Sequence, residues 1–220
     1  MLRKLLTRLQ ALLWKTSWRL AERRNLQGFD VGISPAVDSQ KEQLAFENID
    51  AALTLIHLHD PRRFQRIRTD VQRIHAFGTQ SQYLGRWVDA LRTCQLATDW
   101  IVRPDTRPAD IASTIVHEAT HARLSRFTYD ERKRQRIEQI CHRQEEAFAL
   151  RLPDAMELVE QARRAQRRAP EFYSNTSSKR DNRLMRFGVS VCRRGSYAPY
   201  TSFSRPVPPN KRLKLAARVD

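Results

Sequence analysis

The chain has 220 residues, with 40 Lys+Arg against 24 Asp+Glu and a formal net charge of +16. That length suffices to bury one hydrophobic core, and no run of about 18 uncharged apolar residues is present to cross a bilayer. Three scattered cysteines (Cys94, Cys141, Cys192) without CxxC spacing argue against a disulfide-stapled secreted fold and for a reducing, cytoplasmic setting. The excess charge favours anionic partners and leaves the fold open.

Residues 1–29 form a basic N-terminal helix and linker. Up to Arg24 the only acid is Glu22, against Arg3, Lys4, Arg8, Lys15, Arg19, Arg23 and Arg24. Leu2, Leu5, Leu6, Leu9, Leu12, Leu13 and Leu20 fall on one helical face, with Trp14 and Trp18 on the basic side. Such a helix can lie on an anionic membrane surface or dock its leucines on the protein's own core. Interrupting basic residues disfavour a secretory signal, whereas an organellar transit peptide shares the composition.

Residues 30–168 carry the foldable pattern. Glu42–His59 reads as a helix with Leu44, Ile49, Ala52, Leu53, Ile56 and Leu58 at helical spacing, stopped by Pro61. Asp70–Phe77, Gln82–Val88 and Leu91–Ile101 read as antiparallel strands separated by Gly78 and by Gly85 or Asp89, with a pairing around Trp87 and Cys94. Thr106 and Pro108 open a helix to about Arg126, the T-x-x-E box Thr128–Glu131 opens a second to about Leu152, and Pro153–Asp154 a third to about Arg168. The fold class is therefore α+β and mostly helical, with a small antiparallel sheet on a helix pair. Residues 169–220 are a largely irregular tail. From Glu171 on it holds eleven basic residues against three acids, and the cluster Asn210–Lys214 suits nucleic acid or an address signal.

The first of the late helices contains His117-Glu118-Ala119-Thr120-His121, an H-E-x-x-H pattern. Residues four apart on a helix share a side, so both imidazoles can reach one metal ion while Glu118 stands beside its open position. Nitrogen and carboxylate ligands, with no cysteine nearby, suit Zn2+. Ile111, Ala112, Ile115, Ala119 and Ala122 give the helix a separate apolar face. A tetrahedral catalytic site needs a third protein ligand, and no third histidine follows at metzincin spacing. The next helix supplies Glu138 and Glu145 at the edge of its buried face, with Glu146 turned away. In an antiparallel helix pair reversing near Phe127, Glu138 meets the histidines; Glu145, about 10 Å further along, orients an imidazole. A skewed crossing reverses those roles.

The block Thr114–Arg123, followed by a helical glutamate, resembles the zinc metallopeptidases of the zincin superfamily in their gluzincin branch. More loosely, Asp110–Pro153 resembles uncharacterised bacterial zinc peptidases. The gap from His121 to Glu138 is slightly shorter, and that to Glu145 slightly longer, than in the best-known members. The resemblance implies a motif helix beneath a small antiparallel sheet whose edge strand holds an extended peptide. It also implies His117 and His121 as zinc ligands and Glu118 as the general base that moves a water proton to the leaving amine.

Tyr129 and Arg123 are the nearby candidates to stabilise an oxyanion, and the strand around Leu91–Thr98 is the candidate for main-chain pairing with substrate. His57, His59 and His75 read as structural residues, and His142, four after Glu138, as a residue near the site rather than a ligand. Two functions follow. One is a zinc hydrolase acting on peptide or protein, cytoplasmic and guided to an anionic membrane or nucleic acid by residues 1–24 and 171–220. The other is a non-catalytic basic binding protein with a structural or vestigial metal site.

Overall fold

A computed structural model describes residues 16–35, 38–77, 83–125, 131–167 and 189–193. Residues 16–20 are helical (α1), followed by strands β1 (Glu22–Leu26) and β2 (Phe29–Ile33), helices α2 (Ser39–His59) and α3 (Pro61–Asp70), and strands β3 (Arg73–Phe77), β4 (Tyr83–Val88) and β5 (Thr93–Ala97). A short α4 (Thr98–Ile101) leads to α5 (Pro108–Leu124), α6 (Glu131–Ala149) and α7 (Met156–Gln166), and β6 (Val189–Arg193) lies within the basic tail. The sheet thus takes strands from both sides of the 30–168 stretch.

The protein is α+β and mostly helical, but the sheet is mixed, not antiparallel. Its order is β1-β2-β3-β5-β4-β6. β2 and β3 run parallel, as do β3 and β5, while the β1–β2, β4–β5 and β4–β6 pairs are antiparallel. The parallel pairs have a physical cause. Helices α2 and α3 separate β2 from β3, long enough for a crossover that returns the chain in the same direction. β5 then slots between β3 and β4, because all five of its residues are buried and need cover on both edges. Trp87 does face Cys94 across the β4–β5 ladder. Gly85, read from sequence as a separator, lies inside β4.

Pro61 both ends α2 and starts α3. Proline is tolerated at a first helical position, and Asp60 caps the new helix by accepting from the Arg63 N–H at 3.0 Å. α2 turns Phe46, Ile49, Leu53 and Ile56 into the core, whereas Leu44 and Leu58 stay exposed. These side chains pack with Ile74, Leu96, Ile111, Ile115 and Phe148 into one continuous core.

At the N-terminal end, Trp18 rather than Leu20 makes the contact. The Trp18 ring stands edge-on to His75 at 5.3 Å, over Gly32, where an added Cβ would lie 2.6 Å from it; Leu20 is 64% exposed. Leu2 through Leu13 and Trp14 lie outside the described residues, as do Gly78, Thr128–Asp130 of the T-x-x-E box, and the Asn210–Lys214 cluster. Among the described residues no helix is long and apolar enough to cross a membrane.

Candidate metal centre

Helix α5 runs beneath the sheet with Ser113, Thr114, His117, Glu118 and His121 all buried on it. Asp110 secures its start by accepting from the Arg107 backbone N–H at 2.9 Å. Arg107 also reaches Glu157 of α7 at 3.0 Å. Helix α6 packs alongside, fixed to α3 by Arg63 donating to Gln144 (2.9 Å) and to α7 by Arg163 and Gln166 donating to Glu146 (both 2.7 Å). Its buried stripe is Arg134, Glu138, Cys141, His142 and Glu145.

The structure brings His117, His121 and Glu138 together. Nε2 of His117 lies 3.1 Å from Nε2 of His121, and Oε2 of Glu138 is 3.5 Å from the first and 3.7 Å from the second. A triangle of that size has a point about 2 Å from every corner, the distance at which zinc takes nitrogen and oxygen ligands. Glu145 sits behind this group. Its two oxygens lie 3.3 Å from Nδ1 of His117 and 2.5 Å from Nδ1 of His142. The imidazole that offers Nε2 to the cluster is thereby held from its other nitrogen.

Glu118 completes the arrangement on the sheet side. β4 crosses α5 so closely that a Cβ on Gly85 would fall 2.5 Å from Thr114 Cγ2 and 3.3 Å from Glu118 Oε1. A glycine inside a strand marks this kind of approach. Both Glu118 oxygens and Oε1 of Glu138 are buried without a well-formed hydrogen bond among the described residues, the Trp87 backbone N–H being a donor that favours ionised Glu118. Carboxylate oxygens so poorly satisfied around a histidine pair make a costly arrangement that a cation would relieve. The donor set therefore fits a divalent metal ion.

The electrostatics are those of a tightly coupled buried cluster. Burial pushes the Glu118 carboxyl up to about 8; His117 pulls against this, and Glu138 and Glu145 add to it. Burial also acts against ionised Glu138 and Glu145. His121 and His117 nonetheless hold Glu138 well below the usual carboxylate range, and His117 and His142 hold Glu145 at about 2. His121 is pushed down by burial, with Glu138 opposing.

One feature was not anticipated from sequence: Cys141, whose Sγ lies within 4.8 Å of ligand atoms of His117 and His121, contrary to the expectation of no cysteine nearby. Its position three residues after Glu138 on the same helical stripe was the available signal. His142 lies near the site as its spacing from Glu138 suggested, in a group with His117 and Glu145. Two sequence assignments also change. β5 has β3 on one edge and β4 on the other, so the Leu91–Thr98 strand has no free edge for a peptide. Arg123 is exposed and lines a groove with Arg63, Arg66 and Val116 on the opposite side of α5 from the histidines. Tyr129 lies outside the described residues. Compared with family models, with curated proteins and with solved structures, the chain matches none.

Proposed function

We propose that the chain is a zinc-dependent hydrolase, a zincin-like metallopeptidase in which His117, His121 and Glu138 hold the ion and Glu118 is the general base. The observation that carries this reading is the convergence of three ligand atoms within 3.7 Å of one another beside the buried Glu118 carboxylate. A zinc ion bound there supplies a Lewis acid that acidifies water and polarises a carbonyl. The remaining work falls to the chain. Glu145 fixes the orientation of His117 through Nδ1. Glu118, pressed against β4, is placed to take a proton and hand it to a leaving amine. Arg134, one turn before Glu138 on the buried stripe, keeps Nε and one terminal nitrogen without a described partner and supplies the cation to steady developing negative charge.

The test is Glu118→Gln in the full chain. It should keep stoichiometric zinc while turnover of casein or a peptide library falls on the order of 10²–10⁴-fold. His121→Ala should lose the metal as well.

One observation favours a second reading. With Cys141 as a fourth ligand the site would be closed, as structural zinc sites are, and the protein would be a non-catalytic basic binder. A metal-loaded wild type with no turnover and a thiolate–metal absorption band would establish that alternative.

A further inference from the structure

The β4 strand crosses the candidate metal centre, and its outer edge is taken by the chain itself. Gly85 of β4 stands against Thr114 and Glu118 of α5. On the side of β4 away from β5, residues of β6 pair antiparallel, with Arg86 facing Val191, Trp87 facing Ser190 and Val88 facing Val189, and an irregularity between Tyr83 and Gly85. β6 also passes close to α5. The line of backbone donors and acceptors that runs past Glu118 is therefore satisfied by residues 189–193.

An extended peptide adds to a sheet by filling such a line, with main-chain hydrogen bonds supplying affinity. Among the described strands no other edge passes the histidine pair: β5 is enclosed on both sides, and β1 forms the far edge of the sheet. We infer that β6 is a tethered occupant of the position an extended peptide substrate takes on β4, so that the tail competes with substrate for the site. This rests on the peptidase reading above. Residues 168–188 connect the strand to the helical layer. Tethered segments compete at effective concentrations on the order of millimolar, enough to hold off a dilute substrate. The mechanism requires only that β6 leave and the peptide enter, with no change in β4 or α5.

The experiment uses the full chain carrying Ser190→Pro and Val191→Pro together. Neighbouring residues of an antiparallel strand alternate in directing N–H groups to one partner, so the pair removes a ladder donor in either phase. Zinc content should match wild type, those amides of Arg86–Val88 that point towards β6 should lose hydrogen-exchange protection while those bonded to β5 keep it, and kcat/KM on a peptide substrate should rise fivefold or more. A synthetic peptide of residues 187–195, added to this variant, should restore protection in β4 and inhibit competitively. Unchanged or lower activity in the zinc-loaded variant, or β4 amides that the peptide leaves unprotected, would overturn the inference.

A second measurement needs no proline. In the Glu118→Gln chain, saturating casein peptides should raise exchange at residues 189–193, and unaltered exchange there would count against displacement. If zinc is bound and no form of the protein turns over peptide, the hydrolase reading falls. The two exchange measurements then still decide whether β4 accepts a strand in place of β6.

Discussion

Glu145 stands 3.3 Å from Nδ1 of His117, on the side of the imidazole away from His121, while Glu138 lies 3.5 Å from Nε2 of the same ring. Two acids from one helix thus address opposite nitrogens of a single histidine. Their substitutions should separate. Glu145→Gln should weaken zinc binding about 10–100-fold, the usual effect of losing a partner that orients a ligand. Glu138→Gln, which removes the ligand proposed above, should weaken it by more. Chelator competition measures both, and the opposite ranking would assign the ligand to Glu145.

Cys141 offers a direct check on how many ligands the chain provides. Burial pushes its thiol well above the ordinary value, whereas Glu138 is held as an anion by the neighbouring imidazoles. Of the two, the carboxylate carries its charge without help from a metal ion, and the proposed three-ligand site leaves the thiol out. Cobalt-substituted protein should therefore lack a thiolate-to-metal band, and Cys141→Ala should retain its metal.

Gly85→Ala would place a methyl group 2.5 Å from Thr114 Cγ2. Overpacking at such a point costs about 1–3 kcal/mol. Thr114→Ser removes the obstructing methyl, so the double variant should recover a large part of the loss. Chemical denaturation of the four proteins in the cycle gives the coupling, and additive losses would show that β4 and α5 are further apart than described.

His75 predicts an acid-sensitive component of stability outside the candidate metal centre. It is 1% exposed, its Nε2 has no described partner, and burial first, then Arg86, lowers its pKa from 6.5 to about 4. The folded state therefore prefers the neutral ring. Its contribution is fully present above pH 6.5 and is lost as pH falls from there towards 4, as the unfolded chain takes up the proton first. A shift of that size corresponds to about 3 kcal/mol. Denaturant midpoints for wild type and His75→Phe should converge or cross over this range. Parallel pH profiles would show that the ring is protonated in the fold.

Helices α2, α5, α6 and α7 were legible in the sequence because their apolar spacing and stops are local, whereas α3 went unread after Pro61 and Thr98–Ile101 was read as the end of a strand. Pro61, Pro108 and the alternation of Ile111, Ile115 and Ala119 need no knowledge of the rest of the chain. The pairing of the strands was not legible. Whether β3 lies beside β4 or β5 depends on which strand can be covered on both edges, and Thr93–Ala97 reveals its full burial only when α5 and both neighbours are in place. β1 and β2 were missed because Arg23, Arg24 and Asn25 look like the end of a basic helix, although the hairpin turns at Gln27–Gly28, both with positive φ. At the candidate metal centre, the histidine pair is fixed by one helix and could be read directly. The position of Glu138 against it follows from how α5 and α6 cross, and Cys141 came with it unseen.

The stripe that α6 turns inward is a recognisable pattern as well as a surface. Glu138, His142 and Glu145 occur as E-x-x-x-H-x-x-E, one helix after an H-E-x-x-H, and a glycine in β4 lies under the glutamate of that first motif. Either motif alone carries limited weight. Found together in another chain, in that order and with the small residue on the preceding strand, they would mark the same two-helix centre even where overall identity has faded.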